Sequence, residues 1–334
     1  MISTLEKLNG KETNCVNIYD NMAFDIMADL GFGQKPEESM QSGAGDPSYM
    51  KFLHGWMRAS NVLGSLRNLC EIGAYIPQDA ESEGFNRLGE KMLEARQKMG
   101  KHRPDIFTHL LGEDGESGLK FNHAQLLINA QMLMVAGSDT TSVTMTCLFR
   151  LLSMHMEKQQ KLRKEIADAF PNGETPTCAA TAALPFLNGV VQEALRLWPA
   201  VPTGPQATTP PSGYTIAGTF VPGNVDIRIP PMALLSDARY FPRPDEFLPE
   251  RWTPEMPELV KDKRAFIPFG YGAHSCIGRP LALNEMRTAV ARVIQRFEVQ
   301  LGESYDDKVF RDRWKDYFLV QLGPCPLKFV PREI

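Results

Sequence analysis

Phe266-Ile267-Pro268-Phe269-Gly270-Tyr271-Gly272-Ala273-His274-Ser275-Cys276-Ile277-Gly278-Arg279 sets one cysteine between glycines, after a Pro-Phe turn and at the mouth of a helical pattern. A helix N-terminus offers unpaired N–H groups and the positive end of a dipole, and both stabilise a sulfur anion. Gly270, Gly272 and Gly278 permit tight turns and let a large flat ligand lie close against the backbone. A cysteine met in isolation is more often a small buried hydrophobe on a turn. The rest of the chain decides between the two.

Upstream, Leu126 to Met154 is the most apolar long stretch, interrupted by Asn129, Gln131, Asp139 and Arg150, and it reads as a buried helix rather than a bilayer span. Asn122 suits its N-cap. Its middle carries Ala136-Gly137-Ser138-Asp139-Thr140-Thr141. An acid and two threonines are poor helix formers and costly to bury, so something must offset them. Thr140 can bond back to the Ala136 carbonyl, which bends a helix and opens a groove, and Gly137 would let a ligand reach the backbone. Polar residues satisfied by core partners are the alternative.

A third cluster lies between these stretches. Leu184 to Leu197 reads as a helix in which Glu193 and Arg196 stand i, i+3 among Val190, Val191, Ala194 and Leu195. A surface pair contributes little, whereas a buried one needs a third partner. Other helices are predicted over Cys15 to Gly33, stopped by Gly31 and Gly33, and over Tyr49 to Ile76, Glu83 to Gly100, His155 to Phe170 and Leu281 to Phe297. A short one begins at Arg103-Pro104, and Gln34 to Ser48 reads as a loop. The charges of His155 to Phe170 read as a solvated face. One hairpin is expected from Tyr214–Gly218 and Asn224–Ile229 around Pro222-Gly223, and another from Tyr317–Gln321 and Leu327–Val330. Pro230 to Pro249 reads as irregular.

The 334 residues carry a net charge of −4 spread along the chain, which argues against a nucleic-acid partner. Six cysteines without a CxxC pair point to a reducing compartment. Met1 to Thr13 is polar, with no signal or anchor pattern. No linker divides the chain, so residues 1–334 are expected to form a single domain.

Phe269, Gly272, His274, Cys276 and Gly278 match, at the same spacing, the haem-binding loop of the cytochrome P-450 family, which the chain therefore resembles. The resemblance implies a mainly α fold with small β-sheets. It makes Cys276 the axial ligand of haem b, with His274 directed at a propionate and Phe269 shielding the sulfur. Ala136 to Thr141 is similar to the family's oxygen-binding helix, so that Thr140 would hydrogen-bond dioxygen or a water and Asp139 would relay protons. Glu193 and Arg196 would be joined by Arg251 of Pro249-Glu250-Arg251-Trp252 in a structural triad.

The activity implied is a haem-thiolate monooxygenase that inserts one oxygen atom of dioxygen into a lipophilic small molecule, in fungal secondary metabolism. Electrons would come from an NADPH-dependent reductase, docked by Arg279, Arg287, Arg292 and Arg296, since no Gly-x-Gly-x-x-Gly turn occurs here. A full-length eukaryotic relative would sit at the endoplasmic reticulum membrane.

Three departures support a second reading, a non-catalytic or degenerate fragment with impaired haem binding. The chain begins downstream of the family's Trp-x-x-x-Arg helix, so the fold is expected to lack its N-terminal part. No basic residue stands at Gln206-Ala207-Thr208, and Leu235-Ser236 replaces a His-Arg pair. Each loss removes a charge-assisted hydrogen bond to a carboxylate. A zinc site from His274 and Cys276 is a third reading, for which the nearby sequence offers no further ligands.

Overall fold

The computed structural model describes residues 1–33, 49–64, 80–100, 104–113, 115 and 120–332. The expected loop over Gln34 to Ser48, and the part of Tyr49 to Ile76 beyond Gly64, lie outside these. The chain opens with helix α1 (Ile2–Leu8), strand β1 (Glu12–Asn14) and helix α2 (Cys15–Phe32). Helices α3 (Tyr49–Gly64), α4 (Ala80–Met99), α5 (Ile106–Leu110), α6 (His123–Met154) and α7 (Met156–Ala169) follow. Next come α8 (Cys178–Thr181), α9 (Pro185–Leu197), strands β2 (Gln206–Thr208), β3 (Tyr214–Ile216), β4 (Thr219–Val221) and β5 (Asp226–Arg228), and α10 (Pro231–Leu235). The chain ends with α11 (Arg279–Arg296), β6 (Phe297–Leu301), α12 (Asp307–Asp312), β7 (Lys315–Tyr317), β8 (Leu319–Gln321) and β9 (Pro326–Pro331).

Helix α6 is the axis. Asn122 and Gln125 close a reciprocal capping box at 2.9 Å each way, so the helix starts where a side chain satisfies its first donors. Its 32 residues span about 48 Å, and Thr141 to Ser153 are buried on every side. Helix α2 lies against it. Tyr19 stacks on Phe149 at 5.2 Å. Glycines set the closeness of this crossing, for a Cβ on Gly31 would stand 2.8 Å from Leu133 and one on Gly137 2.3 Å from Met27. Gly31 therefore belongs inside α2, and the helix stops only at Gly33, where φ is +65°. Leu30, in the last turn of α2, is exposed. Asp105, not Pro104, starts α5, in a capping box with Thr108.

The strands depart from both expected hairpins. Tyr214–Ile216 pairs with Thr219–Val221, because Ala217 and Gly218 take φ of +49° and +84° and turn the chain in two residues. Asp226–Arg228 pairs instead with Gln206–Thr208. At the C-terminus, Phe318 at φ +77° folds β7 onto β8, while β9 lies between β1 and β6 in an antiparallel sheet of order β1-β9-β6. One apolar cluster draws residues from Leu5 through Leu148 and Val290 to Phe329. Among the described residues, no helix is long and apolar enough to cross a membrane.

The charged face of α7 does more than meet water. Both Glu165 carboxylate oxygens accept from the Phe186 and Leu187 amides at 2.8 Å, capping α9, whose own N-cap Leu184 has no side chain to do so. Lys158 and Lys161 reach Glu250 at 2.9 and 3.3 Å, beside Arg251.

Glu193, Arg196 and Arg251 meet with all three side chains essentially removed from solvent. Glu193 Oε1 accepts from Arg196 Nη2 (2.9 Å), Arg251 Nε (2.9 Å) and the Leu248 amide (3.2 Å). Its Oε2 accepts from Arg196 Nε (3.0 Å) and Trp252 Nε1 (2.8 Å). The guanidinium hydrogens left over go to main-chain carbonyls: Arg196 to Leu235 and Glu246, Arg251 to Pro242, Leu259 and Arg243. Replacing Arg196 by Leu strands a buried carboxylate half-paired, an expected loss of about 3–5 kcal/mol read as a fall in the denaturant midpoint. A midpoint equal to the parent's would show that the pair contributes nothing.

Candidate active site

The cysteine loop is anchored at its start by Phe266, whose ring lies 4.5 Å from that of Trp252, the same Trp252 that donates to Glu193. Gly270 and Gly272 take φ of +71° and +80°, a region only glycine enters freely. Those turns bring the Cys276 amide to the Phe269 carbonyl at 2.8 Å and leave the Cys276 thiol exposed. The Phe269 ring packs on the core with the Arg279 guanidinium 5.9 Å from its centre. Nothing lies within 4 Å of a Cβ placed on Gly272, while a Cβ on Gly278 would touch Cys276 Sγ at 3.8 Å. Tyr271 and Ile277 are 80% and 99% exposed. The loop thus leaves glycine backbone, a thiol and apolar side chains open, a composition suited to holding a flat macrocycle through a sulfur ligand. Helix α11 begins at Arg279 with Gly278 as its N-cap, so Cys276 precedes its first turn.

Helix α6 supplies the second group of residues. Thr140 Oγ1 donates to the Ala136 carbonyl at 2.7 Å, and the helix runs unbroken through the motif. Gly137 faces Met27 of α2, so its missing side chain serves helix packing, not the approach of a ligand expected for it. Asp139 is buried, and its Oδ1 lies 3.0 Å from His54 Nε2 on α3. Its Oδ2 is buried and, among the described residues, has no hydrogen-bond partner. One turn away, Ser142 donates to Asp20 of α2, and burial, reinforced by the charge of Asp139, pushes the Asp20 carboxyl up to about 7. Burial raises the carboxyl of Glu285 on α11, which faces Thr141, to about 7 as well.

Sequence reasoning missed His54, Asp20 and Glu285. The first two sit at ordinary helical positions with no motif around them, and the sole signal was the unpaid-for acid at Asp139, which required some partner. Beside Gln206, where no basic residue stands, the cross-strand neighbour Arg228 donates from Nη2 to Gln206 Oε1 at 2.6 Å. The four arginines of α11 do not form one free face. Arg279 is exposed, whereas Arg292 donates to the Pro176 carbonyl at 3.1 Å, Arg296 pairs with Glu6 at 2.9 Å, and Arg287 has a buried Nε. Among the described residues, no group of three His, Cys, Asp or Glu side chains could hold a metal ion, which leaves the zinc reading without ligands.

The family profile of cytochrome P450 matches residues 1–328. Cytochrome P450 monooxygenase FCK2 of Fusarium pseudograminearum is 31% identical over 93% of this chain and 56% of its own length. Cytochrome P450 monooxygenase orf5 of Eupenicillium brefeldianum is 33% identical over 100% of this chain and 67% of its own. Tryprostatin B 6-hydroxylase of Aspergillus fumigatus is 37% identical over 69% of this chain and 41% of its own. The matches thus span about two fifths to two thirds of the length of these relatives. The crystal structure of the cytochrome P450DA heme domain superposes with a TM-score of 0.81 at 21% identity, over 99% of this chain and 71% of that one, and shows the same fold. The mainly helical architecture with small antiparallel sheets, the exposed thiol on its glycine loop and a profile match along nearly all its length together make this chain a member of the cytochrome P450 family.

Proposed function

We propose that the chain acts as a haem-thiolate monooxygenase on a lipophilic small molecule of fungal secondary metabolism, with haem b as cofactor and an NADPH-dependent reductase as electron donor. The observation that carries this reading is the Cys276 loop: two left-handed glycines, an amide pinned to the Phe269 carbonyl, and a thiol left on the open side. Family membership implies haem, and the residues present fit it. Cys276 would ligate the iron, Phe269, Gly272 and Gly278 would cradle the ring, and exposed His274 would meet a propionate. The bound cofactor supplies the activation of dioxygen and the electron relay to it.

The chain's own residues supply positioning and protons. Thr140 Oγ1 gives its hydrogen to Ala136 and keeps lone pairs that can hold a water against the helix. Asp139 is a buried carboxylate with one oxygen uncommitted, the property a proton relay needs. Ile128 and Met132 expose apolar side chains on the same helix, a surface that favours a lipophilic substrate and excludes water. The fungal monooxygenases and the hydroxylase among the relatives support this reading.

The test is the absorption spectrum of the haem-loaded, reduced, carbon-monoxide-treated protein. A thiolate-type spectrum is expected for the parent and for Cys178→Ser, and its loss for Cys276→Ser. Failure of the parent to take up haem in one-to-one amount would favour the degenerate reading instead. For Thr140→Ala, haem uptake should be unchanged while hydrogen peroxide replaces product, with coupling down roughly tenfold or more. Unchanged product per electron consumed would remove Thr140 from the chemistry.

A further inference from the structure

Asp139 is buried deeply enough that protons cannot reach it directly from bulk water: its side chain is 2% exposed, and among the described residues the partner of its Oδ1 is His54 Nε2 at 3.0 Å. His54 keeps 26% of its side chain exposed, so a single imidazole bridges solvent and the buried carboxylate. We infer that His54 is the proton inlet of this protein, the side chain that recharges Asp139 after each proton Asp139 gives up. The inference rests on Asp139 acting as the relay described above.

The transfer balances without any electron moving. The ring takes a proton from water on Nδ1 as Nε2–H passes its proton to Asp139 Oδ1, and tautomer exchange resets the ring. Oδ2, buried and unpartnered, remains to pass the proton onward. A static helix tie would be served by any donor. The groups around this imidazole favour a titrating one.

Burial by itself lowers the His54 pKa, but the hydrogen bond and charge of Asp139, with Asp20 adding, carry it above the ordinary value despite Arg58 on the same helix. Asp20, raised to about 7 by burial first and by Asp139 second, lies on α2 with Ser142 holding one of its oxygens. The Gln321 side chain donates to the His54 carbonyl at 3.0 Å and pins that turn of α3. The cluster therefore sets an imidazole and a second carboxyl, both of raised proton affinity, around the buried Asp139 carboxylate. Because the His54 pKa is raised by folding, its contribution to stability is full below the unfolded value and is lost as pH climbs through the folded one.

Two measurements on this chain decide the matter. By NMR, the His54 ring is assigned from the signal that vanishes in His54→Gln. It should titrate above the free-imidazole value of about 6.5 in the parent and lower in Asp139→Asn. A parent His54 titrating at or below that value overturns the inference without need of any variant. In haem-loaded protein with a reductase, His54→Gln keeps an amide donor toward Asp139 but cannot pass a proton through. Product formation should fall roughly tenfold to a hundredfold, with a larger solvent deuterium isotope effect than the parent's. A parental rate and isotope effect in His54→Gln, with Asp139→Asn impaired, would overturn the inlet and leave the relay standing. Parental turnover in Asp139→Asn would overturn both.

Discussion

A single carboxylate with five donors organises the segment that presents the cysteine. Glu193 is bonded by two guanidiniums, an indole and a main-chain amide, in a place closed to solvent. Burying three charges has no obvious advantage in stability over packing hydrocarbon. What this cluster does that hydrocarbon could not is hold irregular backbone. The carbonyls of Leu235, Pro242, Arg243, Glu246 and Leu259 all end on its arginines, and these lie in a stretch with little regular structure to satisfy them. Trp252 then carries the constraint onward, through Phe266, to the first residue of the cysteine loop.

The same logic of polar groups in an apolar setting governs α6. It is buried all round from Thr141 to Ser153, yet at and just before this stretch it holds Asp139, Thr140, Thr141, Ser142 and Thr144. They find partners in different directions. Thr140 and Thr144 bond back along the helix, Ser142 turns to α2, Thr141 to α11, and Asp139 to α3. One helix is thereby tied by polar contacts to three neighbours at the level of the site. Shifts of those neighbours would be felt first as changes in proton affinity, before any apolar packing is disturbed.

Much of this was legible in the sequence because it depends on local chemistry. The cap at Asn122, the back-bond at Thr140 and the need for a third partner at Glu193 all follow from spacing and from the cost of burying charge. The pairings that failed were decided elsewhere in the chain. Pro222-Gly223 looked like the better turn, but the two-residue loop at Ala217-Gly218 won because both residues adopt left-handed backbone, and alanine gives no warning of that. Gly137 looked like room for a ligand when it is room for Met27 of α2, a residue more than a hundred positions away in sequence. His54 could not have been picked out, since a histidine on an ordinary helix carries no mark of what lies opposite.

The sheet of order β1-β9-β6 bears on how the chain reaches this state during synthesis. Glu12 pairs with Lys328 and Asn14 with Pro326, so β1 emerges from the ribosome almost the whole length of the chain ahead of the strand that completes it. At ordinary translation speeds the interval is on the order of tens of seconds. Throughout it, Leu5 and Cys15 have no access to Cys325, Leu327 and Phe329, which share their cluster in the finished core. The segment around β1 is thus made long before the strand that secures it, and its exposure to mispairing in the nascent chain lasts correspondingly long.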